Sequence, residues 1–198
     1  MRRKTLDALL ASTGAVIALV LLAAGGLLTW ASSYIDDQVQ TQLSMQDITM
    51  PTKDSLETAD QHKALDQYAG QQMTTGAQAK AFADHYILVH MNAASGGRTY
   101  EEVSGEYMQL ISDKNADPAK VAELGQLRQT LFMGNTLRGL LLNAYAFDTM
   151  GKIAGLAAIA SFIGAGALLV LTGLGFWHMR RTPAEVEVGV RTPAVATA

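Results

Sequence analysis

The sequence predicts an all-α protein: two transmembrane helices flanking an extracytoplasmic helical domain. Three observations predict it. From Ala8 to Ile35 there are 28 residues without an Asp, Glu, Lys or Arg, and from Ile153 to Trp177 another 25. The chain between them repeats its apolar residues at helical spacing, with no alternating strand pattern strong enough to compete. The 198 residues are 49% hydrophobic and only 17% charged, where a soluble domain carries about a quarter charged.

Residues 1–7 read as a cytoplasmic N-terminus and 8–34 as the first span. At 1.5 Å per residue, 25 helical residues reach roughly 37 Å, enough to cross a hydrocarbon core of about 30 Å with some tilt. Lipid offers no partner to a bare amide, so both runs must be helical. Met1-Arg2-Arg3-Lys4 would also suit the basic region of a secretory signal. The apolar stretch exceeds the usual 7–15 residues, however, and an uncleaved anchor is the preferred reading. Arg2, Arg3 and Lys4 precede the first run, no Lys or Arg follows it until Lys53, and Arg180 and Arg181 close the second. The positive-inside rule then predicts both termini in the cytoplasm, at the plasma membrane, and residues 35–150 outside. Lys152 stands on the wrong side of this rule and is expected to snorkel.

From Asp36 through Lys152 there are fifteen acidic and nine basic residues, a net charge of −6. That suits a domain in the aqueous envelope better than one lying on anionic lipid. With no cysteine, disulfides, thiolate metal sites and cysteine nucleophiles are excluded. The total charge of −3 without a concentrated basic face argues against nucleic-acid binding.

Within the outer domain, Ile35, Val39 and Leu43 extend the first helix as a narrow apolar stripe, which Asp47-Ile48-Thr49-Met50-Pro51 breaks. Residues 52–76 read as loop, with at most a short helix near Leu65–Tyr68. A helix is expected from Ala77 to Asn92, its inner face marked by Ala79, Phe82, Tyr86 and Val89 and its end by Ser95-Gly96-Gly97. Thr99 and Glu102 form a capping box, followed by Tyr100, Val103, Tyr107, Leu110 and Ile111 at helical spacing. Asp117-Pro118 signals another start. Val121, Leu124, Leu127 and Leu131 line a helix that runs, bent at Gly134 and Gly139, into the second span, 151–178. Residues 179–198 read as a disordered cytoplasmic tail, in which Arg-Thr-Pro-Ala occurs at 181–184 and again at 191–194. Thr182 and Thr192 are candidate phosphosites there.

Glycine and other small residues let membrane helices approach closely. Gly151 and Gly155, and Ala157, Ser161 and Ala165, are expected to pack against Gly14, Ala18 and Gly26, or against the same faces of a second copy. No phosphate loop, nucleophile elbow or zincin motif is present. His85 and His90 are the candidate metal ligands but poorly placed to chelate together, because residues five apart stand about 140° apart around a helix. An iron site would need a further carboxylate such as Asp60 or Glu106. Arg138 interrupts an apolar stretch and is expected to form an internal ion pair, with Asp148 or Glu123 as partner.

Gly96-Gly97-Arg98-Thr99-Tyr100-Glu101-Glu102 after the helix of residues 79–94 resembles a segment of a family of small two-span membrane proteins of actinobacteria. Leu127-Arg128-Gln129-Thr130, Thr136-Leu137-Arg138-Gly139-Leu140-Leu141 and Ile48-Thr49-Met50-Pro51 resemble further runs of that family. His85 and Arg138 match positions it carries, whereas Gly139 stands where alanine is usual and residues 132–135 diverge. The resemblance covers about residues 8–177 and implies the fold and topology; the family's role is undefined. Its members often carry the label aromatic ring-opening dioxygenase, which this sequence does not support, since no spaced metal triad can be drawn. The functional expectation is a non-enzymatic accessory or interaction module of the envelope, with no cofactor. Its partners would be the lipid bilayer and another envelope or membrane protein, or a second copy. The alternative is a metal-dependent, non-haem iron ring-opening enzyme using His85 and His90.

Overall fold

The computed structural model describes residues 3–183, and among these every regular element is helical. Helix α1 spans Arg3–Ser44, α2 Ala59–Leu65, α3 Gly76–Phe82, α4 Leu88–Ser95, α5 Tyr100–Ser112 and α6 Pro118–Arg181. A π-helical segment, Ala83–Ile87, joins α3 to α4 without a break, and single 3-10 turns stand at Lys53–Ser55 and Asp66–Tyr68. The described chain divides into two compact units: Ser33–Lys152, and the paired ends formed by residues 3–32 and 153–183.

In the Ser33–Lys152 unit, Val39 and Leu43 of α1 enter a core with Met50, Leu56, Leu65, Met73, Ala79, Ala83 and Leu141. Asp47, with φ 51°, turns the chain out of α1. An antiparallel bridge between Thr49 and Gln72 then pins the exit: the Met50 amide donates to the Gln71 carbonyl and the Met73 amide to the Ile48 carbonyl, each at 2.8 Å. A second cluster holds Met91, Val103 and Leu131, with Leu124 and Leu127 packed on it.

Residues 52–76 are more ordered than expected. Thr58 accepts from the Gln61 amide while the Gln61 side-chain oxygen accepts from the Glu57 and Thr58 amides at 2.9 and 3.0 Å, a complete capping box that starts α2. Thr75 and Gln78 build the same box at the start of α3. Both glutamines are buried. A neutral amide can be buried at far lower cost than a carboxylate, which accounts for Gln in these two boxes and Glu in the exposed Thr99–Glu102 box of α5.

The expected helix over 77–92 exists as α3, the π segment and α4, but its inner face shifts. Ala79, Ala83 and Met91 are buried, while Val89 is only half-buried. A π turn takes more residues per turn than an α turn, so it holds a four-residue repeat (Ala79, Ala83, Ile87, Met91) on one side of the rod. Gly96 then ends α4 in the left-handed conformation, φ 65° and ψ 31°. Asp117 accepts from the Ala119 amide at 2.9 Å ahead of Pro118, and α6 continues unbroken for 64 residues. At Gly134 a Cβ would stand 2.5 Å from the Met91 sulfur, so this glycine serves close packing.

In the other unit, Ala11, Ala18 and Gly25 of α1 are buried and Ser32 half-buried, a repeat of seven that Ala158, Ala165 and Thr172 answer on α6. The pairing is antiparallel: a Cβ at Gly14 would meet Thr172 Oγ1 at 2.7 Å, at Gly25 the Phe162 ring at 2.9 Å, and at Gly155 Ser32 Oγ at 3.0 Å. A seven-residue repeat is the signature of left-handed supercoiled packing, and small side chains on it bring the backbones close.

Candidate functional site

Chemistry-bearing side chains of the Ser33–Lys152 unit gather along α3 and the π segment. Arg138 donates from Nε to the Ala83 carbonyl and from Nη2 to Asp84 Oδ1, both at 3.0 Å. Lys80 binds the other Asp84 oxygen and lies over the Tyr145 ring, 5.4 Å from its centroid. Burial pushes the Asp84 carboxyl up, but the hydrogen bonds and charges of Lys80 and Arg138 outweigh it and leave Asp84 below its ordinary value of 3.8. The internal ion pair expected of Arg138 is present, but the partner is Asp84. Asp148 instead accepts from Lys152 at 2.7 Å, packed against Gly76.

His85 lies in the π segment, its Nδ1 2.8 Å from Asp60 Oδ2. His90 Nδ1 lies 2.7 Å from the Tyr86 carbonyl, which can only accept, so Nδ1 carries the proton; its ring centroid is 4.4 Å from that of Tyr86. Glu106 is paired with Arg98 at 2.7 Å. Among the described residues no three His, Asp or Glu side chains are gathered so as to hold a metal ion. His85 and His90 thus do not fit a two-histidine, one-carboxylate iron site, which needs three ligands on one facet.

In this unit a groove of about 390 Å³ lies between α1 and α6. Its floor is Ile35, Val39, Leu43 and Ala144. Gln38, Gln42 and Gln46 form one edge and Leu140, Asn143 and Phe147 the other, with Tyr34 at one end. None of these eleven residues is charged. Tyr34 is 53% exposed, Leu140 58% and Phe147 55%. Large apolar side chains left open beside a concavity make this groove the candidate site. The sequence carried a signal for it: the glutamines recur every four residues beside the Ile35–Val39–Leu43 stripe.

Of the residues expected to pack helices, Gly14, Ala18, Gly155 and Ala165 lie in the α1–α6 contact of the terminal unit. Ala157 and Ser161 are half-buried, Ser161 donating to the Ala157 carbonyl at 2.8 Å. Gly151 is buried in the Ser33–Lys152 unit. Nothing comes within 4 Å of a Cβ built at Gly26; its neighbour Gly25 makes the contact with Phe162. Thr182 donates to the His178 carbonyl at 3.0 Å beyond the end of α6. Thr192 lies outside the described residues.

Comparison with protein-family models, curated proteins and solved structures finds no match.

Proposed function

We propose that this chain is an integral membrane protein of the cell envelope. It would be a two-span hairpin with both termini cytoplasmic and residues 35–150 outside, acting as a non-enzymatic docking module. What supports the membrane reading is the arrangement of apolar surface. Only 17% and 11% of the most apolar windows of α1 and α6 are buried, and Leu10, Leu19, Leu27, Ile163, Val170 and Leu171 are each more than 60% exposed. The helices meet through alanine and glycine and turn their large side chains outward. A helix in a water-soluble core does the reverse, and a bilayer is the solvent that suits this surface. Trp30 and Trp177, 67% and 54% exposed, sit toward opposite ends of the apolar stretch, as interfacial aromatics do.

The docking reading rests on the uncharged groove bordered by Tyr34, Leu140 and Phe147. The likeness to the actinobacterial two-span family bears on the same unit: Arg138 and His85, two of the matched positions, pair there with Asp84 and Asp60. The test is topology. A fluorescent reporter fused after Ala198 should be active in the cytoplasm, and alkaline phosphatase inserted after Asn115 should be active outside. A chain that leaves the membrane fraction on carbonate washing, or a tail cut by protease added to whole cells, would overturn the proposal.

A further inference from the structure

We infer that the groove between α1 and α6 holds one acyl chain of an outer-leaflet phospholipid; this rests on the membrane reading above. Four observations carry it. The lining has no charged side chain, so it offers a charged ligand or acidic peptide nothing to pair with. Its more buried lining, Ile35, Val39, Leu43 and Ala144, is wholly apolar. Along α1 the lining runs from Tyr34 to Leu43, about 14 Å at helical rise, with Gln46 in the turn beyond the helix, against about 15 Å for the hydrocarbon of one leaflet. Finally, the groove starts where the charge-free run 8–35 ends, so along the chain its Tyr34 end directly follows the lipid-facing stretch.

The two edges differ usefully. Leu140 and Phe147 offer apolar contact to the chain, while Gln38, Gln42, Gln46 and Asn143 carry amides that both donate and accept. Ester carbonyls of a lipid accept hydrogen bonds and have none to give, so the amide donors suit them without any opposing charge.

The test uses the full chain in vesicles of phosphatidylglycerol and phosphatidylcholine containing a phosphatidylcholine with a photoactivatable diazirine at the end of one acyl chain. After illumination the adducts are mapped by mass spectrometry. We expect adducts on residues 140–147 and 35–46 as well as on the apolar runs. Gln42→Trp and Asn143→Trp, both at exposed positions, should reduce the groove adducts at least tenfold with adducts on residues 153–177 unchanged and helicity by circular dichroism preserved. Adducts confined to the apolar runs would overturn the inference and leave the membrane reading standing. A chain that fails to float with vesicles would overturn both. Efficient disulfide formation between copies bearing Gln42→Cys, with no groove adducts, would assign the groove to a second copy and overturn the lipid.

Discussion

Arg138 reaches back 54 positions along the chain to Asp84, meeting its Oδ1 at 3.0 Å while its Nε holds the carbonyl of Ala83 at the start of the π segment. One guanidinium thereby holds both a backbone carbonyl and a carboxylate of the π segment. Both partners are largely shielded, with 21% and 24% of their side chains exposed. Arg138→Met should lower unfolding stability by about 1–3 kcal/mol, because the Ala83 carbonyl loses a donor and Asp84 keeps only Lys80. Arg138→Lys should recover only part of this, since an ammonium cannot reproduce the two-point fork. Urea unfolding of the protein in detergent, followed by circular dichroism, measures both.

The same carboxylate gives the unit a pH signature. Its folded value lies below the ordinary 3.8, so the stability it contributes is present above that value and drains away as pH falls through and beneath it. Glu102 shifts the same way, held down by the backbone amide and then the hydroxyl of Thr99. Melting temperature should therefore drop between pH 5 and pH 3, and Asp84→Asn should flatten part of that drop while starting from a lower value at neutral pH. An unchanged slope in the variant would contradict the assignment.

Two glycines in this unit should respond oppositely to alanine. At Gly76 a Cβ would stand 2.5 Å from the Asp148 Cβ, an atom fixed to the α6 backbone, so Gly76→Ala should cost about 1–3 kcal/mol through overpacking. Gly139 is exposed inside α6 with nothing within 4 Å of its added Cβ. Gly139→Ala should stabilise by about 0.5–1 kcal/mol by stiffening the unfolded chain and improving helix propensity. Paired thermal melts decide the signs.

The antiparallel contact of the terminal unit can be trapped covalently, on a background that contains no cysteine. A Cβ at Gly175 would lie 3.4 Å from that of Ala11, close to the 3.5–4.5 Å of disulfide bonds. Ala11→Cys with Gly175→Cys should oxidise readily within one chain. Ala11→Cys with Gly173→Cys should not, because Gly173 has no neighbour within 4 Å of its Cβ position. Mobility on non-reducing gels reads the outcome.

The elements announced by strong local signals were legible in the sequence: the two apolar runs, the Thr99–Glu102 box, the Asp117-Pro118 start and the Gly96-Gly97 stop. Each is a property of a few adjacent residues obeying backbone chemistry. The Thr58–Gln61 box was written there too, but its glutamine stands among polar neighbours with no apolar run after it to mark a helix; the Thr75–Gln78 box heads the apolar-patterned helix expected over 77–92. Other features were decided only when distant segments met. Arg138 chose Asp84 over Asp148 because the π segment turns Asp84 toward α6, and a π turn has no clear sequence signature. Gly25 and not Gly26 carries the close approach because a helical face is set by its partner's position, which one helix cannot encode by itself. The groove exists only because α1 and α6 run side by side, so its uncharged lining belongs to neither segment until tertiary packing joins them.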